Sequence, residues 1–154
     1  MSQEIEVVEN CNAWINSFLG SDDADDLEKL KVGLQPFITE KTVLTEPASL
    51  PWRGEHVGYE GWVEFIRRIR PVQKHFASRS NEKKSTYYQE GNVVLREFAI
   101  DISGSTVASP FTLKLFERYT VEDGRISQCL SYYYDTASFL EFLALEGLIP
   151  KHVN

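Results

Sequence analysis

Residues 111–134 read FTLKLFERYTVEDGRISQCLSYYY and have the pattern of a β-hairpin. The halves Phe111–Val121 and Arg125–Tyr134 are rich in β-branched and aromatic residues, which favour strands. Between them lies Glu122-Asp123-Gly124, and an Asp-Gly pair is typical of a tight turn. This stretch therefore predicts two long strands that pair antiparallel.

Two more strands are predicted before this hairpin. Thr86–Glu90 and Val93–Ser103 have the same strand-like composition and are separated only by Gly91-Asn92. The segment Gly104–Pro110 then leads into the hairpin. Because strands that follow one another through short turns pair antiparallel, we expect an antiparallel meander in the second half of the chain.

Segments with helical periodicity lie on both sides of the meander. Apolar residues recur at steps of three and four in a first helix, which we expect Gly20 to close in a left-handed cap. Ser21 is expected to cap a second helix, and Pro71 to stop a third. Asp135 or Thr136 is expected to cap a last helix. With one strand among the first three helices, this order predicts an α+β fold with helices on one face of a sheet.

Composition narrows the possible classes of function. The chain has 154 residues, of which 42% are hydrophobic, so residues 1–154 are predicted to form one domain with its own core. Its net charge of −7 would repel nucleic acids and anionic membranes, and we expect neither as a partner. The first ten residues, MSQEIEVVEN, carry acids where a signal peptide carries cations. We therefore expect a cytoplasmic protein in which Cys11 and Cys129 are small buried hydrophobes.

Five short motifs follow one another in an order that matches a known superfamily. They are Glu46-Pro47, Pro51-Trp52-Arg53-Gly54, Gly58-Tyr59-Glu60-Gly61, Asp123-Gly124-Arg125-Ile126 and Tyr132-Tyr133-Tyr134-Asp135. In order and spacing the chain resembles the NTF2-like superfamily, in its SnoaL-like and ketosteroid-isomerase-like branch. The resemblance implies a cone in which helices pack on one face of a curved, mainly antiparallel sheet and enclose a pocket. It also implies a homodimer formed through the sheet face.

Glu46 is the first candidate catalytic residue. It stands directly before Pro47 at the end of a predicted strand, which in the ketosteroid isomerases is the position of the general base. A carboxylate that faces an apolar hollow loses hydration, and its pKa rises towards the range in which it is an effective base. The alternative is that Glu46 only bonds backbone or an arginine at a strand end.

Asp135 is the second candidate acid. In the SnoaL-like cyclases an aspartate that closes the last strand acts at the pocket floor, and the resemblance implies the same place for Asp135. The alternative is a helix N-cap, for which Asp is a favoured residue and which needs no chemistry. Strand alternation would place Tyr133 on the same face as Asp135.

His56 is the third candidate, in a Gly-rich segment expected to form a loop near the mouth of the pocket. There it could polarise a substrate oxygen or relay a proton. No metal is expected, because the three histidines are dispersed and form no ligand pattern. No cofactor is expected either, since hydrogen bonds alone can stabilise an enolate. The aromatic residues expected to bind a hydrophobic substrate are Trp14, Phe18, Trp52, Trp62, Phe65 and Tyr133.

These residues predict an acid/base enzyme that moves a proton next to a carbonyl of a hydrophobic cyclic small molecule, as an isomerase, cyclase or dehydratase does. No complete known set of catalytic residues is present. Where ketosteroid isomerases have a first-helix Tyr and a strand acid, this chain has Trp14 or Phe18 and Phe116 or Glu117. Two alternatives stay open: a noncatalytic ligand-binding or dimerisation module, and an epoxide-hydrolase-like enzyme. Epoxide hydrolases of this fold need an Arg-x-Asp pattern on a strand, whereas Arg96 is followed by Glu97 and Phe98.

Overall fold

The protein is described by a computed structural model over residues 1–105 and 110–151, which hold four helices and seven strands. In chain order these are α1 Gln3–Leu19, α2 Leu27–Leu34, β1 Ile38–Glu46, β2 Gly54–Val57, α3 Gly58–Phe76, β3 Ser80–Glu82, β4 Thr86–Glu90, β5 Val93–Ile102, β6 Phe111–Glu122, β7 Arg125–Tyr133 and α4 Thr136–Leu145. The predicted loop before β6 includes residues 106–109, which lie outside the described ranges.

One curved, mainly antiparallel sheet carries the fold, with strands in the order β2-β1-β7-β6-β5-β3 and with β4 also paired to β5. Only the β1–β7 pair is parallel. The predicted meander is confirmed, because β4 to β7 pair in sequence as antiparallel neighbours. Asp123 and Gly124 have φ of 50° and 73°, the left-handed conformation that a type I′ hairpin turn requires.

Two predicted helix boundaries near residue 20 are wrong. Gly20 has φ of −86°, so α1 ends in a right-handed conformation instead of a left-handed cap. The cap of α2 is Asp26, which accepts a hydrogen bond from the backbone N–H of Lys29 at 3.0 Å. Ser21 instead donates to the carbonyl of Phe18 at 2.7 Å. Several acids precede α2, and the pattern alone did not single out the one that caps it.

The third helix is longer than predicted. It continues through Pro71 and ends at Phe76, a full turn beyond the expected stop. Proline removes one backbone donor, but both Val72 and Phe76 on the following turn pack into the apolar core. Burial of this apolar face outweighs the local preference of proline to end a helix.

Two short strands were missed by the sequence analysis. β2 pairs antiparallel with β1, and β3 pairs antiparallel with one end of β5. Their lengths are four and three residues, and glycine and polar side chains make up most of both. Such segments have no apolar alternation to reveal them, and neighbouring strands of the sheet hold them in place.

Two apolar clusters hold the helices against the sheet. The first surrounds Leu30 and Ile126 between α1, α2 and the central strands. The second surrounds Leu113 and Phe142 beneath α4. Phe65, from α3, packs against both clusters. No helix within the described ranges is sufficiently long and apolar to cross a membrane.

Candidate functional site

A cavity of about 430 Å³ lies between the helices and the sheet. One wall comes from α3 and the other from the strands, and the lining is mainly apolar. Its aromatic members are Trp52, Trp62, Phe65, Phe76, Phe98, Tyr119, Tyr133 and Phe139. A concave, apolar hollow with a few polar groups is the usual form of a small-molecule site.

Glu46 is the last residue of β1 and faces this cavity with only 5% of its surface exposed. The Tyr133 hydroxyl donates to its Oε2 atom at 3.3 Å. None of the ion pairs formed within residues 1–105 and 110–151 includes Glu46. The carboxyl group is therefore buried without a cation to compensate its charge.

Burial raises the pKa of Glu46 to about 7. Donors from Ser131, Tyr133 and Trp52 favour the charged form and limit the rise, whereas the nearby charge of Glu117 adds to it. A carboxyl group with a pKa near 7 exchanges protons readily at neutral pH, which suits a general base or acid.

The turn after β1 brings Trp52 back over the cavity. The backbone N–H groups of Leu50 and Arg53 donate to the carbonyls of Pro47 and Leu50, both at 3.1 Å, and close two successive turns. Trp52 is buried beside Glu46. The Trp52 indole N–H is close enough to Glu46 to favour the charged carboxylate, but the geometry is poor for a hydrogen bond. The Trp62 indole N–H likewise makes no hydrogen bond to any described residue.

A row of polar residues crosses the cavity face of the sheet. Arg96 on β5 is directly opposite Glu117 on β6, and Glu117 is opposite Ser131 on β7. Thr45 pairs with Leu130, which places Glu46 beside Ser131. The row could not be predicted from the sequence, because it depends on the pairing of strands that are distant in sequence.

Arg96 is the centre of a buried cluster that the sequence analysis missed. It is 4% exposed and donates to Glu117 at 2.9 Å, to Asn12 at 3.1 Å and to Glu82. The Tyr119 hydroxyl donates to the same Glu117 oxygen at 2.6 Å. Burial by itself lowers the pKa of Arg96, but the acidic groups around it outweigh this effect and keep it protonated.

Asp135 is not where the sequence analysis expected it. It is exposed, it does not line the cavity, and it caps α4 by accepting from the N–H of Ser138 at 2.9 Å. This bond, with one from the Ser138 hydroxyl, lowers the pKa of Asp135. Because β7 ends at Tyr133, the alternation that brings Tyr133 to the cavity stops before Asp135.

His56 also lies away from the cavity. It is not in a loop but on β2, where it is 5% exposed, and its Nε2–H donates to the carbonyl of Trp52 at 2.9 Å. Its ring packs against Phe65 at 5.5 Å between centroids. His56 therefore supports the turn that carries Trp52 and does not reach a ligand in the cavity.

The predicted aromatic residues divide into two groups. Trp52, Trp62, Phe65 and Tyr133 line the cavity, as expected. Trp14 and Phe18 do not, because they stack on each other at 5.4 Å and Trp14 lies tightly against Gly33 of α2. Within the described part of the chain, no three His, Cys, Asp or Glu side chains are grouped to hold a metal ion.

Comparisons with protein-family models and with curated proteins find no match to this chain. Solved structures do match. An NTF2-like protein of unknown function from Burkholderia pseudomallei is 19% identical with a TM-score of 0.67, over 92% of this chain and 98% of that chain. A putative SnoaL-like polyketide cyclase from a Jannaschia species is 11% identical with a TM-score of 0.63, over 94% of this chain and 92% of that chain.

A protein of ketosteroid-isomerase-like fold from Catenulispora acidiphila, solved in complex with trimethylamine, is 16% identical with a TM-score of 0.59, over 94% of each chain. At these identities the likeness concerns the fold alone. The chain has the NTF2-like α+β cone, so the fold that the resemblance implied is confirmed. Because one fold hosts many functions, the chemistry has to be argued from the cavity.

Proposed function

We propose that this protein is an acid/base enzyme that moves a proton next to a carbonyl of a hydrophobic cyclic molecule. The observation that carries the proposal is Glu46, a buried carboxyl with no cationic partner among the described residues and with its pKa raised to about 7. A group that is partly ionised at neutral pH can both take a proton and return it. The apolar walls suit a hydrophobic ring, and their volume of about 430 Å³ suits a small molecule.

The proposed step is a balanced proton transfer. Glu46 in its carboxylate form takes a proton from the carbon next to a carbonyl, and the C–H electron pair forms a carbon–carbon double bond as the carbonyl π pair moves onto oxygen. In an isomerisation Glu46 then returns the proton to a different carbon while the electron pair on oxygen re-forms the carbonyl. In a cyclisation the enolate carbon instead bonds to a second carbonyl carbon of the substrate, whose π pair moves onto its oxygen and takes the proton from Glu46. In a dehydration the bond to a β-hydroxyl breaks, and the departing oxygen takes the proton from Glu46 and leaves as water. Tyr133 holds the carboxylate in place through its hydrogen bond at 3.3 Å.

The test is hydrogen exchange in deuterated water with a panel of hydrophobic cyclic ketones, followed by mass spectrometry. Glu46→Gln keeps the shape of the side chain but cannot take a proton, so exchange should fall by about 100- to 10,000-fold. Glu28→Gln is the matched control, since Glu28 is exposed on α2 and does not line the cavity. Exchange that persists in Glu46→Gln rules out the assigned base.

The rival from another class is a noncatalytic ligand-binding module. Glu46 paired with an arginine, or a cavity filled by side chains, would have favoured it, and neither arrangement is present among the described residues. The binding module becomes the better explanation if the ketones of the panel bind to the protein but none exchanges hydrogen faster than it does in buffer.

The Arg96 cluster favours a second enzymatic candidate, epoxide hydrolysis. Glu82 and Glu117 flank Arg96 within the cavity, although no Asp follows Arg96 two residues later. Burial raises the pKa of Glu82, which suits a general acid, and the Glu117 carboxylate, held in place by Arg96 and Tyr119, would orient the attacking water. Turnover of cyclohexene oxide in ¹⁸O-labelled water, lost in Glu117→Gln but kept in Glu46→Gln, would select this candidate.

We also propose a homodimer through the outer face of the sheet. Tyr88, Leu95, Phe116 and Tyr132 are exposed there, and Phe116 and Tyr132 are cross-strand neighbours. Lys114 and Glu97 add both signs of charge to this face, which suits contact with a second copy. In sedimentation experiments Phe116→Glu should yield monomers, while Val32→Glu, at an exposed apolar residue of α2, should not.

Both cysteines are free and buried, which is compatible with a reducing compartment. We propose on this basis that the enzyme works in the cytoplasm. Localisation of a tagged protein in cell fractions would test this assignment directly.

A further inference from the structure

The cavity opens to solvent where α1 and α3 end. Within the described part of the chain, the exposed residues of its lining all belong to this end, and they are Asn16, Gly20, Ala77, Ser80 and Glu82. Glu46 and Trp52 line the same cavity but are buried. Trp62, which is also buried, lies about 12 Å before Arg70 along α3. A ligand therefore passes the last turns of two helices before it reaches Glu46.

Arg70 projects from α3 at this entrance. It lines the cavity, and its side chain is 17% exposed. Its Nη1 atom donates to the carbonyl oxygen of Leu19, at the end of α1, at 3.0 Å, and to the Oε1 atom of Gln73 at 3.3 Å. Leu19 and Gln73 also line the cavity. The guanidinium group of Arg70 therefore joins α3 to α1 at the opening.

A second link runs from α3 to the segment between α1 and α2, residues 20–26. The Nε atom of Arg70 donates to Asp25 at 3.4 Å, and Lys74 donates to the other oxygen of Asp25 at 2.8 Å. The side chains of Asp25 and Lys74 are 70% and 52% exposed. Exposed ion pairs are weak, because water and salt screen them. This link can therefore break and re-form while the rest of the protein stays folded.

We propose that Arg70 is a gate residue, which means that its side chain spans the entrance and that ligands pass when it releases Leu19 and Asp25. The inference rests on the proposed function only in taking the cavity as the site of a hydrophobic ketone, and it adds what controls entry. Reorientation of one long side chain is fast compared with movement of a helix. A wide ring requires a larger displacement of Arg70 than a narrow one, so the gate also selects ligands by size.

Two other roles of Arg70 predict different results. The last carbonyl groups of a helix lack partners within it, so the bond to Leu19 also stabilises the end of α1. If this were the whole role, loss of Arg70 would lower the melting temperature and leave the rate of ligand entry unchanged. If Arg70 held the bound ligand, its loss would accelerate dissociation alone. A gate residue is distinguished because its removal accelerates association and dissociation together.

The direct test is stopped-flow tryptophan fluorescence with acetophenone and the wider 2-acetylnaphthalene as probes, since two tryptophans line the cavity. Arg70→Ala should raise both rate constants of 2-acetylnaphthalene about tenfold and change Kd little, because the barrier falls in both directions. Acetophenone should gain less. Arg68→Ala is the matched control, since Arg68 pairs with Glu64 on the same helix and does not line the cavity. An unchanged association rate in Arg70→Ala, faster dissociation alone, or no binding of either probe overturns the inference.

Asp25→Asn weakens the gate without altering the cavity lining. Arg70 then loses its ion pair, so association of 2-acetylnaphthalene should accelerate about threefold, less than in Arg70→Ala. Added salt should accelerate association in the parent but not in Asp25→Asn, because the screened pair is already absent there. Asp23→Asn is the matched control, since Asp23 pairs with Lys29 of α2 and not with α3. Equal effects of salt on the parent and on Asp25→Asn overturn the inference.

Failure of the gate and failure of the proposed function are distinguishable when hydrogen exchange is measured on the same two ketones. Binding that accelerates in Arg70→Ala, without exchange of either ketone, overturns the proposed function and keeps the gate. Exchange that is lost in Glu46→Gln, with equal association rates in Arg70→Ala and the parent, keeps the proposed function and overturns the gate.

Discussion

Glu46 and Glu117 lie in one polar row of the same cavity and differ in what surrounds them. Glu117 accepts from Arg96 and Tyr119 at 2.9 and 2.6 Å, so its charge is compensated. Glu46 has hydroxyl and indole donors but no cation among the described residues, and burial raises its pKa to about 7. Two carboxylates separated by one residue of the row are thus suited to different tasks: Glu117 to holding a charge network, and Glu46 to moving a proton.

Removal of the guanidinium should have the largest effect on stability. Arg96→Leu leaves the largely buried Glu117 carboxylate without its cation and removes the ion pair with Glu82, which should lower the free energy of unfolding by about 3–5 kcal/mol. Urea unfolding at pH 7 measures this loss. Arg118→Leu, on the next strand and outside the cavity, is the control and should change stability little. Equal losses in both variants would mean that the buried cluster has no special role.

Glu46→Gln should have the opposite effect to Arg96→Leu and raise the free energy of unfolding at neutral pH. Its pKa is higher in the folded protein, about 7, than the ordinary 4.5, so the folded state holds the proton more tightly. Glu46 therefore contributes stability at low pH that is lost as the pH rises from about 4.5 to 7. Relative to Glu46→Gln, the parent should lose up to about 3 kcal/mol across that window. Free energies of unfolding at pH 5 and pH 8 measure it, and a difference that does not vary with pH would contradict it.

The smallest effect should come from Asp135. Asp135→Ala removes the cap of α4, so the melting temperature should fall by a few degrees because one end of the helix loses its hydrogen bonds. Ketone exchange should be unchanged, since the side chain does not line the cavity. Calorimetry and the exchange assay check the two parts. A large loss of exchange in a variant that remains folded would restore Asp135 as a catalytic candidate.

Much of the fold could be predicted because local patterns control it. The alternation of residues 111–134 and the Asp123-Gly124 turn specify a hairpin that needs no distant information. Glu46 could be located for a related reason, since it stands at the junction between a strand and a proline turn. The end of α3 could not be predicted from Pro71, because tertiary packing and not local preference decides where this helix ends.

The rest of the site depends on strand register. Arg96 and Glu117 are 21 residues apart and meet only because β5 and β6 pair in one particular register. Glu82 belongs to a three-residue strand with no apolar pattern. Asp135 shows the converse problem, because the same sequence fits a pocket acid and a helix cap, and the difference is whether β7 ends two residues earlier.

The most direct measurement is the titration of Glu46 itself, by ¹³C nuclear magnetic resonance of protein labelled at glutamate carboxyl groups. The Glu46 signal is identified by its absence from Glu46→Gln. A midpoint near pH 7, well above those of the exposed glutamates, is the result we predict. A midpoint near 4.5 would show that the carboxylate is ordinary, and the assignment of Glu46 as a base tuned by the cavity would be wrong.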